Sequence, residues 1–235
     1  MIEPKTIEPK MIKALIFDVD GTLAETEDLG HRRAFNYAFQ HLGFKDFWSQ
    51  ALYRDLLKVA GGKERIQHYF HSTSHPEAGN SNLVSELHKF KTEFYKEIVA
   101  QGEIILRPGV EQLITQAKEQ NIRLAIATTT SEVNIHALLE SAPGPLSLDY
   151  FETIACAENA PIKKPAPDVY LLALAQLRLD PEDVIAFEDN SNGLRSANAA
   201  GISKVVITPT FLSRDENFES AWKVLNDLSE FQLNT

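Results

Sequence analysis

Five short apolar runs, and the unequal spacing between them, most restrict what this chain can fold into. They are KALIF at 13–17, RLAIA at 123–127, TIAC at 153–156, DVIAF at 183–187 and KVVI at 204–207. Each is too short for a helix and is bounded by polar residues, as a strand buried on both faces would be. Segments of helical spacing separate the last four. Ser131 to Leu139 opens on a serine suited to an N-cap, Pro167 to Leu177 opens on a proline suited to a first turn, and Asn192 to Ala200 stops at Gly201. Strand and helix alternate here, so the economical fold is α/β: a Rossmann-like parallel sheet core with helices on both faces.

The stretch from 28 to 102 breaks the alternation. HRRAFNYAFQHL, SQALYRDLLKVA, KERIQHYF and SNLVSELHKFKTEFYKEIVA follow a helical pattern, and no β run lies among them. The expected organisation is an α/β core formed by 11–27 and 103–235, with an inserted all-α helical domain at 28–102. A plainer alternative makes 28–102 the helical half of a single domain. Residues 1–10 contain IEPK twice, with prolines that oppose regular structure, and are expected to form a disordered leader.

Net charge narrows the partners. At −10, the chain repels nucleic acid and anionic membranes, and a phosphorylated ligand needs local cations to receive it. The single cysteine, Cys156, excludes an internal disulfide and argues against a structural zinc site. No run approaches the roughly 18 apolar residues of a membrane span. A cytoplasmic, monomeric enzyme is expected.

Open parallel sheets bind ligands at the carboxyl ends of their strands. Asp18, Asp20, Gly21 and Thr22 follow the first run, and Thr128, Thr129 and Thr130 follow the second. Lys163 and Lys164 follow the third after a loop, and Glu188, Asp189 and Asn190 follow the fourth. Taken singly, these read as a turn, a threonine cluster, a solvated basic pair and a helix cap. Together they bring carboxylates, hydroxyls and an ammonium to one edge. Such hard oxygen donors suit Mg²⁺ better than zinc or copper. Thr128, the Thr129 amide and Lys164 can hold phosphate oxygens, while one aspartate attacks phosphorus and its neighbour moves the proton.

With these four segments assembled, the chain resembles the haloacid dehalogenase-like hydrolase superfamily, through DVDGTL, Thr128, Lys164 in KKPAPD, and FEDN. The resemblance implies Asp18 as nucleophile and Asp20 as general acid and base. It also implies Mg²⁺ held by Asp18, the Asp20 carbonyl and Asp189, with Glu188 close by, and identifies 28–102 with a helical cap. DGTLAETEDLGHRRAFN, LLKVAGGKERI, LRPGV, ATTTS and FEDNSNGLRSA are similar to the CbbY-like branch of that superfamily. That branch is associated with xylulose-1,5-bisphosphate. The similarity implies a small phosphorylated sugar as substrate, with Glu25 and His31 facing it and Gly61, Gly62, Lys63 and Arg65 seating a distal phosphate. On its own, GGKER reads equally well as the end of one helix and the charged start of the next. The family pattern often has aspartate where Glu25 stands. A β-phosphoglucomutase-like sugar phosphomutase and a phosphoglycolate-type phosphatase are the competing activities. A receiver domain would be about half this length, and a degenerate binding protein would not need the intact acid and lysine set.

Overall fold

The computed structural model describes residues 11–141, 147–160 and 162–233; the expected leader, 1–10, lies outside them. Six strands form one sheet in the order β3-β2-β1-β4-β5-β6, with every neighbouring pair parallel. They are β1 (Ala14–Phe17), β2 (Arg123–Ala127), β3 (Thr153–Ala155), β4 (Val184–Glu188), β5 (Val205–Ile207) and β6 (Lys223–Val224). The five expected runs supply β1 to β5. β6 was not anticipated, because two exposed residues leave no run to read.

The central strands are apolar except for Arg123 at the start of β2 and Glu188 at the end of β4, because both their faces are covered. Alternate side chains of β1 enter different cores: Leu15 and Phe17 join one cluster, Ala14 and Ile16 the other. The second cluster takes alanines from four strands, Ala14, Ala125, Ala127, Ala155 and Ala186, and packs against α7 (Asp168–Leu177) and α8 (Ser191–Ala199). The first is completed by α5 (Val110–Glu119) and α6 (Glu132–Ser141). Phe17 lies level with Ile126 and with Phe187, so the residues leaving β1, β2 and β4 emerge side by side.

Between β1 and α5 the chain forms four further helices joined by loops: α1 (Arg33–His41), α2 (Gln50–Leu56), α3 (Gly62–Ser72) and α4 (Ser81–Ala100). They share a third core around Phe35, Phe39, Trp48, Tyr53 and Phe70. α4 serves two cores: Val84 and Leu87 face the helical cluster, and Tyr95, Ile98 and Val99 face the sheet cluster. The chain enters α1 through a π-helical turn, Glu27–Arg32, which the sequence did not signal.

Candidate active site

The level strand ends bring Asp18, Thr128, Glu188 and Asp189 to one edge of the sheet. Lys164 reaches them from the loop after β3 and donates to Asp18 Oδ1 at 2.7 Å, Glu188 Oε1 at 2.6 Å and the Ala127 carbonyl at 2.8 Å. All three of its protons are therefore used. Tyr170 OH donates a second bond to Glu188 Oε1 at 2.5 Å, while Glu188 Oε2 is buried with no partner.

Asp18, Glu188 and Asp189 are buried, and each places a carboxylate oxygen within 4.8 Å of the others. Burial, with Glu188 and Asp20 adding to it and Lys164 opposing, raises the Asp18 carboxyl to about 7. Burial and the charges of Asp18 and Glu188 raise Asp189 well above the usual carboxylate range. One ammonium does not balance three buried carboxylates. The orphaned Glu188 oxygen and the surplus negative charge fit a divalent cation bound by oxygen.

Asp20 is held differently. Burial works against its ionisation. The charge of His31, with bonds from His31, Thr130 and Thr26, nevertheless holds the carboxyl well below its ordinary range. Thr26 Oγ1 donates to Oδ1 at 2.5 Å, and His31 Nε2 lies 2.9 Å from the same oxygen. Lys91 Nζ, on α4, lies 2.8 Å from His31 Nδ1.

Two adjoining cavities open onto this edge. The smaller, about 70 Å³, is lined by Asp18, Asp20, Thr128, Thr129, Lys164 and Asp189, among others. The larger, about 270 Å³, shares Asp20, Glu27, Arg65 and Thr129 with it and reaches His31, Gly61, Gly62 and Lys63. Lys91 and Lys163 also line the larger cavity. Burial, then Lys91, Lys63 and Lys163, push the His88 imidazole down to about 4, so it is neutral among these cations.

Glu25 lies elsewhere. Its carboxylate is 2.9 Å from Arg107 Nε, and it lines neither cavity. Glu27, two residues on, lines both and accepts from Tyr53 OH at 2.6 Å. Tyr53 in turn receives Arg65 Nη1 at 3.0 Å. Sequence reasoning missed Glu27, His88 and Lys91. For Lys91 a signal existed: Leu87, Lys91, Tyr95 and Ile98 share one buried helical stripe, and a lysine there calls for a partner.

Comparison with known proteins agrees with this geometry. The profile described as haloacid dehalogenase-like hydrolase matches residues 12–201. The CbbY protein of Rhodobacter capsulatus is 48% identical over 91% of this chain and 92% of its own. That of Cereibacter sphaeroides is 45% identical over 94% of each. A crystal structure of a CbbY point mutant from Rhodobacter sphaeroides, in complex with xylulose-1,5-bisphosphate, superposes with a TM-score of 0.85 at 44% identity, covering 94% of this chain and 96% of that one. With the profile matching residues 12–201 and relatives 45–48% identical over nearly the whole chain, the chain belongs to the haloacid dehalogenase-like hydrolase family.

Proposed function

We propose that this protein is a Mg²⁺-dependent sugar phosphatase whose substrate is xylulose-1,5-bisphosphate and whose phosphoryl group passes through Asp18. The observation that carries the bisphosphate reading is the pair of adjoining cavities. One is built around Asp18, and the other is lined by Lys63, Arg65, Lys91 and Lys163. The bisphosphate in the related CbbY structure supports it.

Asp18, the Asp20 carbonyl and Asp189 would hold Mg²⁺, with Glu188 beside them; the cation supplies neutralising charge for the transferring group. Asp18 attacks phosphorus, the P–O bond to the sugar breaks, and Asp20 delivers a proton to the leaving oxygen. Asp20 then accepts a proton from the water that attacks the aspartyl-phosphate, and the bond between phosphorus and the Asp18 carboxylate oxygen breaks to release phosphate and free Asp18. A substrate phosphate beside Asp20 offsets His31 and favours the protonated form that the first step needs. Thr128, the Thr129 amide and Lys164 orient the transferring group. Gly61, Gly62, Lys63 and Arg65 seat the distal phosphate near the start of α3. Residues 28–102 form a cap over a core of 11–27 and 103–235, excluding water during the reaction.

The test is phosphate release with Mg²⁺ across sugar mono- and bisphosphates. Xylulose-1,5-bisphosphate is expected to be preferred, with activity lost in EDTA and restored by Mg²⁺. Lys63→Ala should weaken the bisphosphate about tenfold more than a monophosphate, the worth of one charge-assisted contact. Equal loss on both would remove the distal seat. Isomerised sugar phosphate with slow phosphate release would make the enzyme a mutase.

A further inference from the structure

At the amino ends of the strands, the edge opposite Asp18, lies a cavity of about 690 Å³. Its apolar wall includes Ile12, Ile122, Ile185, Trp222, Phe231 and Leu233. Lys13, Arg123, Lys204 and Lys223 also line it, and among the described residues no acidic side chain does, although the chain carries 33 acids against 23 bases. Each cation stands at or just before the start of a strand: Lys13 before β1, Arg123 at the start of β2, Lys204 before β5 and Lys223 at the start of β6.

Two of the cations are already matched. Lys13 pairs with Asp183 at 3.1 Å, and Arg123 with Glu152. Among the described residues no ion pair reaches Lys204 or Lys223. The Lys223 ammonium instead lies 4.6 Å from the Trp222 ring centroid and 5.4 Å from that of Phe231. A positive head is thus held against an aromatic wall.

We propose that this cavity binds a small organic anion with a planar apolar body, its acid group met by Lys204 and Lys223. The volume suits a ligand of that size. A bare inorganic ion would leave the wall unused, and a neutral hydrocarbon would leave the cations unmatched. The ten residues before Met11 are a poorer occupant: their two glutamates are offset by two lysines and the terminal amine. The site is remote from Asp18 and does not depend on the proposed phosphatase activity.

The probe is 8-anilinonaphthalene-1-sulfonate, titrated by fluorescence into the full chain with saturating inorganic phosphate present. One saturable site is expected, about tenfold weaker in Lys204→Glu/Lys223→Glu and intermediate in Lys204→Gln/Lys223→Gln, with circular dichroism unchanged in the latter. Neutral N-phenyl-1-naphthylamine should bind without regard to either pair of substitutions. Equal sulfonate binding in the charge-reversed chain would overturn the proposal, as would displacement of the sulfonate by phosphate. A tenfold gain in affinity on deleting residues 1–10 would also overturn it, by making that segment the occupant.

Discussion

Arg107 is 6% exposed, and its guanidinium donates to the carbonyls of Gly21, Thr208 and Pro209, joining the loop after β1 to the loop after β5. Arg107→Ala would leave buried acceptors unpaired and should lower stability by about 3 kcal/mol, measured by urea denaturation. Glu25, half exposed beside it, is a partner to this clamp. Glu25→Gln should therefore cost under about 1 kcal/mol and leave kcat/KM for phosphate release unchanged. A large kcat/KM loss would put Glu25 back at the substrate. Lys91 gives a pH signature. Burial brings its ammonium down to about 8, with Asp20 and Glu27 opposing and Arg65 adding. The unfolded chain then holds the proton more tightly than the folded one, so Lys91 destabilises the fold at neutral pH. That penalty is relieved as pH rises from about 8 toward the ordinary lysine range. Lys91→Met should thus be more stable than the parent by about 1–3 kcal/mol at pH 7, with the difference vanishing near pH 10.5. A constant difference in denaturation midpoints across that range would contradict this account.

At the scale of elements, the π turn matters because it lets both Glu27 and His31 line the larger cavity while Gly30 lies against Tyr95. A Cβ at Gly30 would meet Tyr95 Cε2 at 2.9 Å, and that ring stacks on His31 at 4.2 Å. Gly30→Ala should cost about 1–3 kcal/mol through overpacking and lower kcat more than it raises KM, because the displaced ring moves the residue that holds Asp20. Helix α8 makes a similar close approach. A Cβ at Gly193 would fall 1.9 Å from Glu188 Oε2, and Glu188 is held by Lys164 and Tyr170. Gly193→Ala should disrupt the acid cluster and weaken the proposed Mg²⁺ binding by about tenfold or more, read by calorimetric titration.

Across the whole molecule, the helical segment touches the sheet side at several polar points. Lys163 donates to Glu64 at 2.7 Å, Arg54 to Asp215 at 3.1 Å, and Asn192 to the Lys58 carbonyl at 3.4 Å, while Leu212 enters the helical core. Exposed pairs of this kind contribute little to stability. Glu64→Gln with Asp215→Asn should leave the melting temperature within a few degrees of the parent while raising KM, as expected if these contacts bias the helices toward the closed position. A large fall in melting temperature with KM unchanged would count against that reading. Strand placement was legible in the sequence because a strand buried on both faces is apolar along its length, as ALIF and VIAF are. The chemistry at the strand ends was legible for a related reason: Asp18, Thr128 and Asp189 sit immediately after such runs, where local geometry alone delivers them to one edge. β6 escaped because its two residues are exposed and bury nothing. α5 escaped because VEQLITQAKE lies between the helical insertion and the second apolar run, outside the alternation that the four later runs define. What the sequence determined by itself was the parallel sheet, the helical insertion and the acid–threonine–lysine set, since each rests on periodicity or on residues adjacent in the chain. Only the tertiary structure decided that Glu27 rather than Glu25 borders the cavities, that Lys91 approaches His31 from sixty residues away, and that Arg107 closes the loops, because winding and long-range packing leave no local pattern to read.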